Sequence, residues 1–325
     1  MLHNWSWKKR VILIICIGVF LYFLFFLLKI GTVFSVKGNQ VFKRTVSIQN
    51  EEASQREEKR TNILVMGFRG GGDILHGEYL TDTMVIVSIK METPRHRVAF
   101  ISLPRDLYVY MPVLGKSNKI NAAYAHGNAT RSGLDIALRA AERVSGVKID
   151  YAVAMDFSVF TRLIDIVGGI DVWVQNDFSE SKQWGFDFVI PRGMHHMDGA
   201  TALYYTRSRY STSDFDRSRR QQDVMIALSN KIMSLGLITS PVKLNTILNT
   251  LSDGMETNIS LMSLFDLVQS LKTIQKNAII KIVLNDAPDG LLQAGTIHDE
   301  YILYPRAGME NYSEIRKKIR GIFIE

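Results

Sequence analysis

The chain of 325 residues carries 39 Lys and Arg against 32 Asp and Glu, a formal net charge of +7, with 46% hydrophobic residues and one cysteine, Cys16. That length and composition suit one large domain or two modest ones, with a core and room for a cleft, and a lone cysteine excludes an internal disulfide or a cysteine metal site. Nucleic-acid binding calls for a clustered basic face; setting aside Lys8, Lys9, Arg10 and Lys29, which flank one apolar run, leaves 35 basic against 32 acidic residues, so no nucleic-acid partner is expected.

The apolar run is Val11–Leu28, VILIICIGVFLYFLFFLL. At about 1.5 Å per residue it spans about 27 Å, near the hydrocarbon thickness of a bilayer. A transmembrane helix is predicted over residues 11–33, with Lys29 snorkelling to the interface, a tail at 1–10 and a polar juxtamembrane linker at 34–60 that ends in QNEEASQREEKR. Trp5 and Trp7 suit an interfacial belt, and Lys8, Lys9 and Arg10 place the amino terminus in the cytoplasm and the remainder outside, although Lys37, Lys43 and Arg44 blur the asymmetry. A cleaved signal peptide fits less well, because the run exceeds a usual h-region and no small-x-small site follows.

The folded domain is expected over 61–325. Apolar, β-branched runs predict strands at Ile63–Phe68, Met84–Ile89, Val98–Leu103, Tyr151–Phe157, Ile170–Val174 and Ile279–Leu284. Helical periodicity predicts helices at Leu134–Val144, Val159–Ile166, Val224–Met233, Leu261–Ile274 and Tyr312–Ile322, and the interleaving reads as an α/β fold. GMHHMDG, with His195 and His196, reads as a turn before a helix.

Chemistry-bearing residues gather in four places. GFRGGGD, Gly67 to Asp73, follows a strand and reads either as a phosphate cradle or as a flexible turn. Asp82 begins a strand, where a carboxylate can hold Mg²⁺ or merely cap a turn. In SLPRDLYV, Arg105 and Asp106 leave a strand's carboxyl end, as an ion pair or with Arg105 as a phosphate clamp. The richest stretch is TRSRYSTSDFDRSRRQQDVMIAL, 206–228. There Arg217 and Gln221 extend the helical stripe of Val224, Met225, Leu228 and Ile232, while Arg219 and Asp223 point away. A guanidinium on a buried stripe needs a counter-charge: Asp214, one turn earlier, or a bound anion that Arg207, Arg209 and Arg217 grip together. No HExxH, GxSxG or Ser/His/Asp pattern is present, which argues against zinc proteases and triad hydrolases.

Read in order, NILVMG (62–67), TDTMVIVSI (81–89), SLPRDLYV (102–109), KINAAYAHG (119–127), DYAVAMDFSVF (150–160), LIDIVGGIDV (163–172), GMHHMDGATALYYTRSR (193–209) and DFDRSRRQQ (214–222) resemble the LytR-CpsA-Psr family of cell-wall ligases, as does YPRAGMENYSEIRKKI at 304–319. The resemblance implies a central mixed sheet covered by helices on both faces, an apolar tunnel between sheet and helices, and one amino-terminal membrane helix with the catalytic domain outside the cytoplasm. It implies a Mg²⁺-dependent phosphotransferase that moves a phosphoglycan from a polyprenyl-pyrophosphate carrier to a peptidoglycan sugar hydroxyl. Asp82 matches the family's metal-coordinating aspartate, Arg105 its SxPRD arginine, and Arg207, Arg209, Asp214, Arg217 and Gln221 its pyrophosphate site. Many members have a second metal-binding aspartate where Arg69 stands here, and Asp73 is the candidate substitute. The alternatives within the same resemblance are hydrolysis of the lipid pyrophosphate and a non-catalytic envelope regulator.

Overall fold

The computed structural model describes residues 60–71, 79–91, 96–128, 132–236, 241–271 and 274–323. The expected tail and membrane helix, nearly all of the linker, and Asp73 lie outside the described residues. Among the described residues no helix is long and apolar enough to cross a membrane.

Three largely buried runs open the domain: β1 (Arg60–Phe68), β2 (Thr81–Lys90) and β3 (His96–Ser102) pair as an antiparallel meander. The hairpin β4 (Tyr108–Met111)–β5 (Lys116–Lys119) and helices α1 (Ala122–Asn128) and α2 (Gly133–Ser145) follow. α2 stops at Gly146, whose φ of 67° is left-handed and whose Cβ would strike the Arg316 side chain at 2.6 Å. The chain then returns as β6 (Tyr151–Asp156), parallel to β1, and enters α3 (Phe157–Ile166), capped by the Asp156 carboxylate.

Next come β7 (Ile170–Val174), β8 (Phe178–Glu180), β9 (Phe188–Ile190) and β10 (Gly193–Met197), which pair as β7 with β10 and β8 with β9. Helices α4 (Gly199–Arg207), α5 (Asp214–Ser234) and α6 (Pro241–Leu251), strand β11 (Met255–Thr257) and helix α7 (Leu261–Leu271) precede β12 (Ile274–Val283). The hairpin β13 (Leu292–Ile297)–β14 (Glu300–Pro305) and α8 (Ser313–Arg320) complete the order.

The central sheet runs β11-β6-β1-β2-β3-β12 and is mixed: β6 joins β1, and β12 joins β3, in parallel. Strand periodicity of two divides its side chains. Leu64, Met66, Met84, Ile86 and Ile101 face a core closed by α1, α2 and α8. Ile63, Val85, Ile89, Val98 and Phe100 face the opposite side, with Met225 and Ile226 of α5 and Leu264 and Leu267 of α7. Helices thus cover both faces, as expected.

Two expected elements differ. His195 and His196 lie in β10, opposite Val172 and Asp171 of β7, and His196 Nδ1 is 2.8 Å from the Asp171 carboxylate. The pairing partner, more than twenty residues away, makes this strand, and its short polar sequence hides it. The helix expected over Leu261–Ile274 ends at Leu271, because the chain from Ile274 is drawn into parallel pairing with β3.

Candidate functional site

One end of the sheet collects β1's close, β2's start and the turn after β3, so Gly67, Arg69, Asp82 and Arg105 come together. Gly70, in the loop after β1, has φ of 74°, and a Cβ there would sit 2.7 Å from Asp156. Only glycine lets this loop close over the sheet end.

Helix α5 brings the second set. A capping box starts it: Ser213 Oγ accepts from Asp216 N–H at 3.1 Å, and Asp216 Oδ2 accepts from Ser213 N–H at 3.2 Å. Arg217 and Gln221, one and two turns in, are buried at 3% and 7% exposure on the stripe that Val224 continues. Arg217 donates to Asp214 Oδ2 at 3.0 Å and to the Asp82 carbonyl oxygen at 3.2 Å. Arg105 donates to Asp82 Oδ1 at 2.8 Å and lies 3.5 Å from Asp106. Gln221 donates to the Thr206 carbonyl at 3.3 Å, tying α5 to the end of α4.

Arg207 and Arg209 lie at and just after the end of α4. The Arg207 guanidinium stands over the Phe157 ring at 4.3 Å and over Trp184 at 5.4 Å; that of Arg209 lies over Tyr210 at 5.5 Å. Among the described residues neither has a carboxylate within ion-pair distance. Burial lowers the Arg207 pKa, and Arg69 and Arg209 lower it further against the pull of Asp82. Burial likewise lowers that of Arg217, partly offset by Asp214. For Arg105 burial acts downward too, but Asp214, Asp82 and Asp106 outweigh it and the pKa rises. The buried Nε atoms of Arg105 and Arg217 have no hydrogen-bond acceptor among the described residues, a deficit that a bound anion's oxygens can fill.

These arginines line the polar end of a cavity of about 710 Å³. The rest of its wall is mostly apolar, with Val65, Val87, Phe100, Met225, Leu228 and Ile279 contributing and Ser229 and Asn230 among the polar exceptions. Two rulers give its length. Asp82 and Ile89 both line it, and seven residues of strand cover about 23 Å. Arg217 and Met233 also both line it, and sixteen residues of helix cover about 24 Å. A cluster of cations therefore opens into a mostly apolar slot about 24 Å long, the stretch of α5 from Arg217 to Met233.

Sequence reasoning missed the frame behind these side chains. Arg220, at 6% exposure, donates from Nε to Tyr205 O at 2.8 Å and from Nη1 to Thr212 Oγ1 at 3.0 Å, and its Nη2 also bonds Ser208 O. Glu180, fully buried, accepts from the N–H groups of Lys182, Tyr210 and Ser211 at 2.9–3.0 Å. Gln183 accepts from Arg209 N–H at 2.9 Å and donates to Arg207 O at 3.2 Å. Together they hold the 208–213 loop that presents Arg207 and Arg209. No local signal marked them: the three arginines of RSRRQQ stand among three acids, Asp214, Asp216 and Asp223, and read as an ordinary ion-paired helix face.

Among the described residues no group of three or more His, Cys, Asp or Glu side chains is arranged to hold a metal. Mg²⁺ commonly binds through one or two carboxylates plus substrate phosphates. Asp82 fits that pattern: one oxygen meets Arg105 and the other makes no hydrogen bond among the described residues.

Fold and site define an α/β protein in which a cluster of guanidiniums opens into a mostly apolar slot. The LytR_cpsA_psr family model matches residues 31–318, and the chain belongs to that family; it is an enzyme, a transferase. A polyisoprenyl-teichoic acid–peptidoglycan teichoic acid transferase, TagU of Enterococcus faecalis, is 28% identical over 282 residues, 86% of this chain and 82% of that protein. The crystal structure of Bacillus subtilis TagV superposes with a TM-score of 0.62 at 27% identity, covering 82% of this chain and 97% of that one. TagT bound to LIIa-WTA shares the fold, with a TM-score of 0.63 at 21% identity over 84% of this chain and 94% of that one.

Proposed function

We propose that this chain transfers a phosphoglycan from a polyprenyl-pyrophosphate carrier to a peptidoglycan sugar hydroxyl, on the outer side of the membrane to which residues 11–33 anchor it. The observation that carries this reading is the continuity between the arginine cluster and the apolar cavity of about 710 Å³. A lipid pyrophosphate has that polarity, and the names of the relatives above support the same donor and acceptor classes.

Phosphoryl transfer asks the protein chiefly for positioning and charge neutralisation. Arg207 and Arg209, without carboxylate partners among the described residues, bind non-bridging oxygens; Arg105 and Arg217, which line the same cavity and whose Nε atoms lack acceptors among the described residues, add further donors. The acceptor hydroxyl oxygen bonds to the glycan-side phosphorus, and the bond from that phosphorus to the bridging oxygen breaks. Polyprenyl phosphate leaves, and the hydroxyl proton passes to it or to water. Asp214 orients guanidiniums and is not the base, since both its oxygens already face them: Arg217 at 2.9 and 3.0 Å and Arg105 at 3.8 Å. Mg²⁺, held by Asp82 and with Asp73 as a second candidate, supplies further shielding of phosphate charge when bound.

The test uses full-length protein in vesicles with a polyprenyl-pyrophosphoryl glycan, peptidoglycan oligomers and Mg²⁺, with products read by mass spectrometry. A glycan phosphodiester on the acceptor together with polyprenyl phosphate supports the reading. Free phosphoglycan alone replaces it with hydrolysis, and failure to bind the lipid ends it. A tag at Glu325 that is accessible on intact spheroplasts tests the orientation.

A further inference from the structure

The end of the sheet opposite the arginine cluster carries cations of its own. Pairing sets Arg60 against Lys90 and Lys90 against Arg97, so the start of β1, the close of β2 and the start of β3 share that end. Two of these cations are structural: Arg60 Nη1 donates to Ile319 O at 3.2 Å, and Arg97 Nη2 donates to Phe323 O at 2.5 Å. They satisfy carbonyls at and just past the close of α8, and so fix its last turn to this end of the sheet.

α8 has one acid, Glu314 in its first turn, against Arg316, Lys317, Lys318 and Arg320. Ile315 and Ile319 turn inward and are buried, which leaves Lys317, Lys318 and Arg320 exposed. None of these three has a carboxylate within ion-pair distance among the described residues. Burial lowers the pKa of their neighbour Arg316, and Arg143 and Arg320 lower it further. Asp150, beside Asn62 at this end, is already engaged: it accepts from Asn62 N–H at 3.0 Å and faces Lys148 Nζ at 3.4 Å. The three exposed cations therefore form a face with an excess of positive charge. Two relationships say what it meets. Ile63, Ile89 and Val98, which line the apolar part of the cavity, lie within three residues of Arg60, Lys90 and Arg97, so the face stands at the apolar end of the slot. Arg60 is also where the chain that follows the apolar run Val11–Leu28 enters the domain. Residues 34–59, fully extended, reach about 90 Å, so a tether of that length does not by itself orient the domain.

We infer that Lys317, Lys318 and Arg320 dock the domain on the anionic phospholipid surface of the bilayer that holds its anchor, with the apolar end of the slot turned toward the lipid. Each basic side chain near such a surface strengthens binding about fivefold, and the attraction fades beyond a Debye length. Docked in this way, the slot receives a lipid tail directly from the bilayer, and the arginine cluster points away from it. The inference rests on the membrane-anchored reading above and adds to it the surface that sets the domain's orientation.

The experiment uses the full-length protein with Cys16→Ser and with Gly321→Cys, a position whose Cβ meets nothing within 4 Å, as the attachment point for a fluorophore. Vesicles of phosphatidylcholine, with or without phosphatidylglycerol, carry a nitroxide-headgroup lipid as quencher. Docking gives strong quenching on the anionic vesicles, loss of it as added salt shortens the Debye length, and weak quenching on the neutral ones. Lys317→Gln, Lys318→Gln and Arg320→Gln together lower the docked-to-free ratio by about 10²-fold, with thermal melts to confirm folding. A folded triple variant quenched like wild type, or equal quenching on neutral and anionic vesicles, overturns docking and leaves the anchor and the transfer reading standing. The salt titration of the unsubstituted surface decides the matter if the triple variant fails to fold. A label shielded by soluble poly(glycerol phosphate) and not quenched by lipid assigns the face to a wall polymer and also overturns docking. A full-length protein that does not float with vesicles overturns the anchor and the docking together.

Discussion

Arg105 Nη1 is 2.8 Å from Asp82 Oδ1 while its Nε is 3.8 Å from Asp214 Oδ1, so one guanidinium stands between the carboxylate that begins β2 and the one that begins α5. Arg105→Ala removes an anion donor and leaves the Asp82 carboxylate without its ion-pair partner, while Asp214 keeps Arg217. Transfer is expected to fall about 10²- to 10³-fold, the usual cost of losing one such donor, and Arg105→Lys recovers only part of it because the planar fork is gone. Asp82→Asn is expected to need at least about tenfold more Mg²⁺ for half-maximal rate. A Mg²⁺ titration that superimposes on wild type removes Asp82 as the metal holder.

Arg217 is nearly sealed from solvent, but its partner Asp214 keeps 30% side-chain exposure. Removing one member of a buried ion pair costs about 3–5 kcal/mol chiefly because the remaining charge stays buried, and here water can reach the Asp214 carboxylate. Arg217→Met is therefore expected to melt within a few degrees of wild type, since about 1 kcal/mol shifts Tm by about 2–4 °C in a domain of this size. Its transfer rate and lipid-pyrophosphate binding are expected to collapse. A variant that melts normally and still transfers at the wild-type rate rules the residue out of the site.

Cavity length predicts a dependence on the donor's tail. Ile232 lines the cavity near the far end of α5. Ile232→Trp fills that end, so donors with a few isoprene units should react as before while long-chain donors lose affinity by about tenfold or more, one or two buried CH₂ groups being worth that much. Equal loss for short and long donors contradicts a tail lying along the helix.

Glu180 predicts acid sensitivity of the loop beneath Arg209. Burial pushes its pKa up, but the N–H groups of Lys182, Ser211 and Tyr210 bond the charged form and bring it below the ordinary value. With the folded-state pKa below the unfolded one, the unfolded chain takes up the proton first as pH falls. The stabilisation is complete above about pH 4.3 and is lost as pH drops through the folded value. Melts recorded from pH 7 to pH 3 should show a steeper fall for wild type than for Glu180→Gln, which keeps an acceptor oxygen and lacks the titration.

What could be read from the sequence follows from how local each signal is. The runs at 63–68, 84–89 and 98–103 reveal the sheet centre, because strands buried on both faces are continuously apolar. Arg217 and Gln221 could be placed on the inner stripe of α5 because a helix repeats every 3.6 residues whatever surrounds it. Arg220 and Gln222 were invisible by the same rule. They bury polar groups against carbonyls supplied by distant segments: Tyr205 and Ser208 for Arg220, Phe100 and Ile282 for Gln222. The alternating run Ile170–Val174 was legible as β7, whereas its partner β10 and the pair β8–β9 were missed because strands of three to five residues with few apolar positions carry too little alternation to stand out. The turn holding Gln183 and Trp184 went unread because its hydrogen-bond partners, Arg207 and Ser208, lie more than twenty residues later.

Helix α5 bears the guanidinium of Arg217 near its start and the hydrocarbon-facing side chains of Leu228, Ile232 and Met233 farther along. A rigid rod of fixed rise per residue locks the separation between those two regions, so a guest must satisfy both at one spacing. Bare inorganic phosphate would have nothing to hold its trailing portion, and a neutral terpene nothing to stop it slipping lengthwise. Discrimination against free inorganic anions and neutral greasy molecules is in this way inherent in the helix's own geometry.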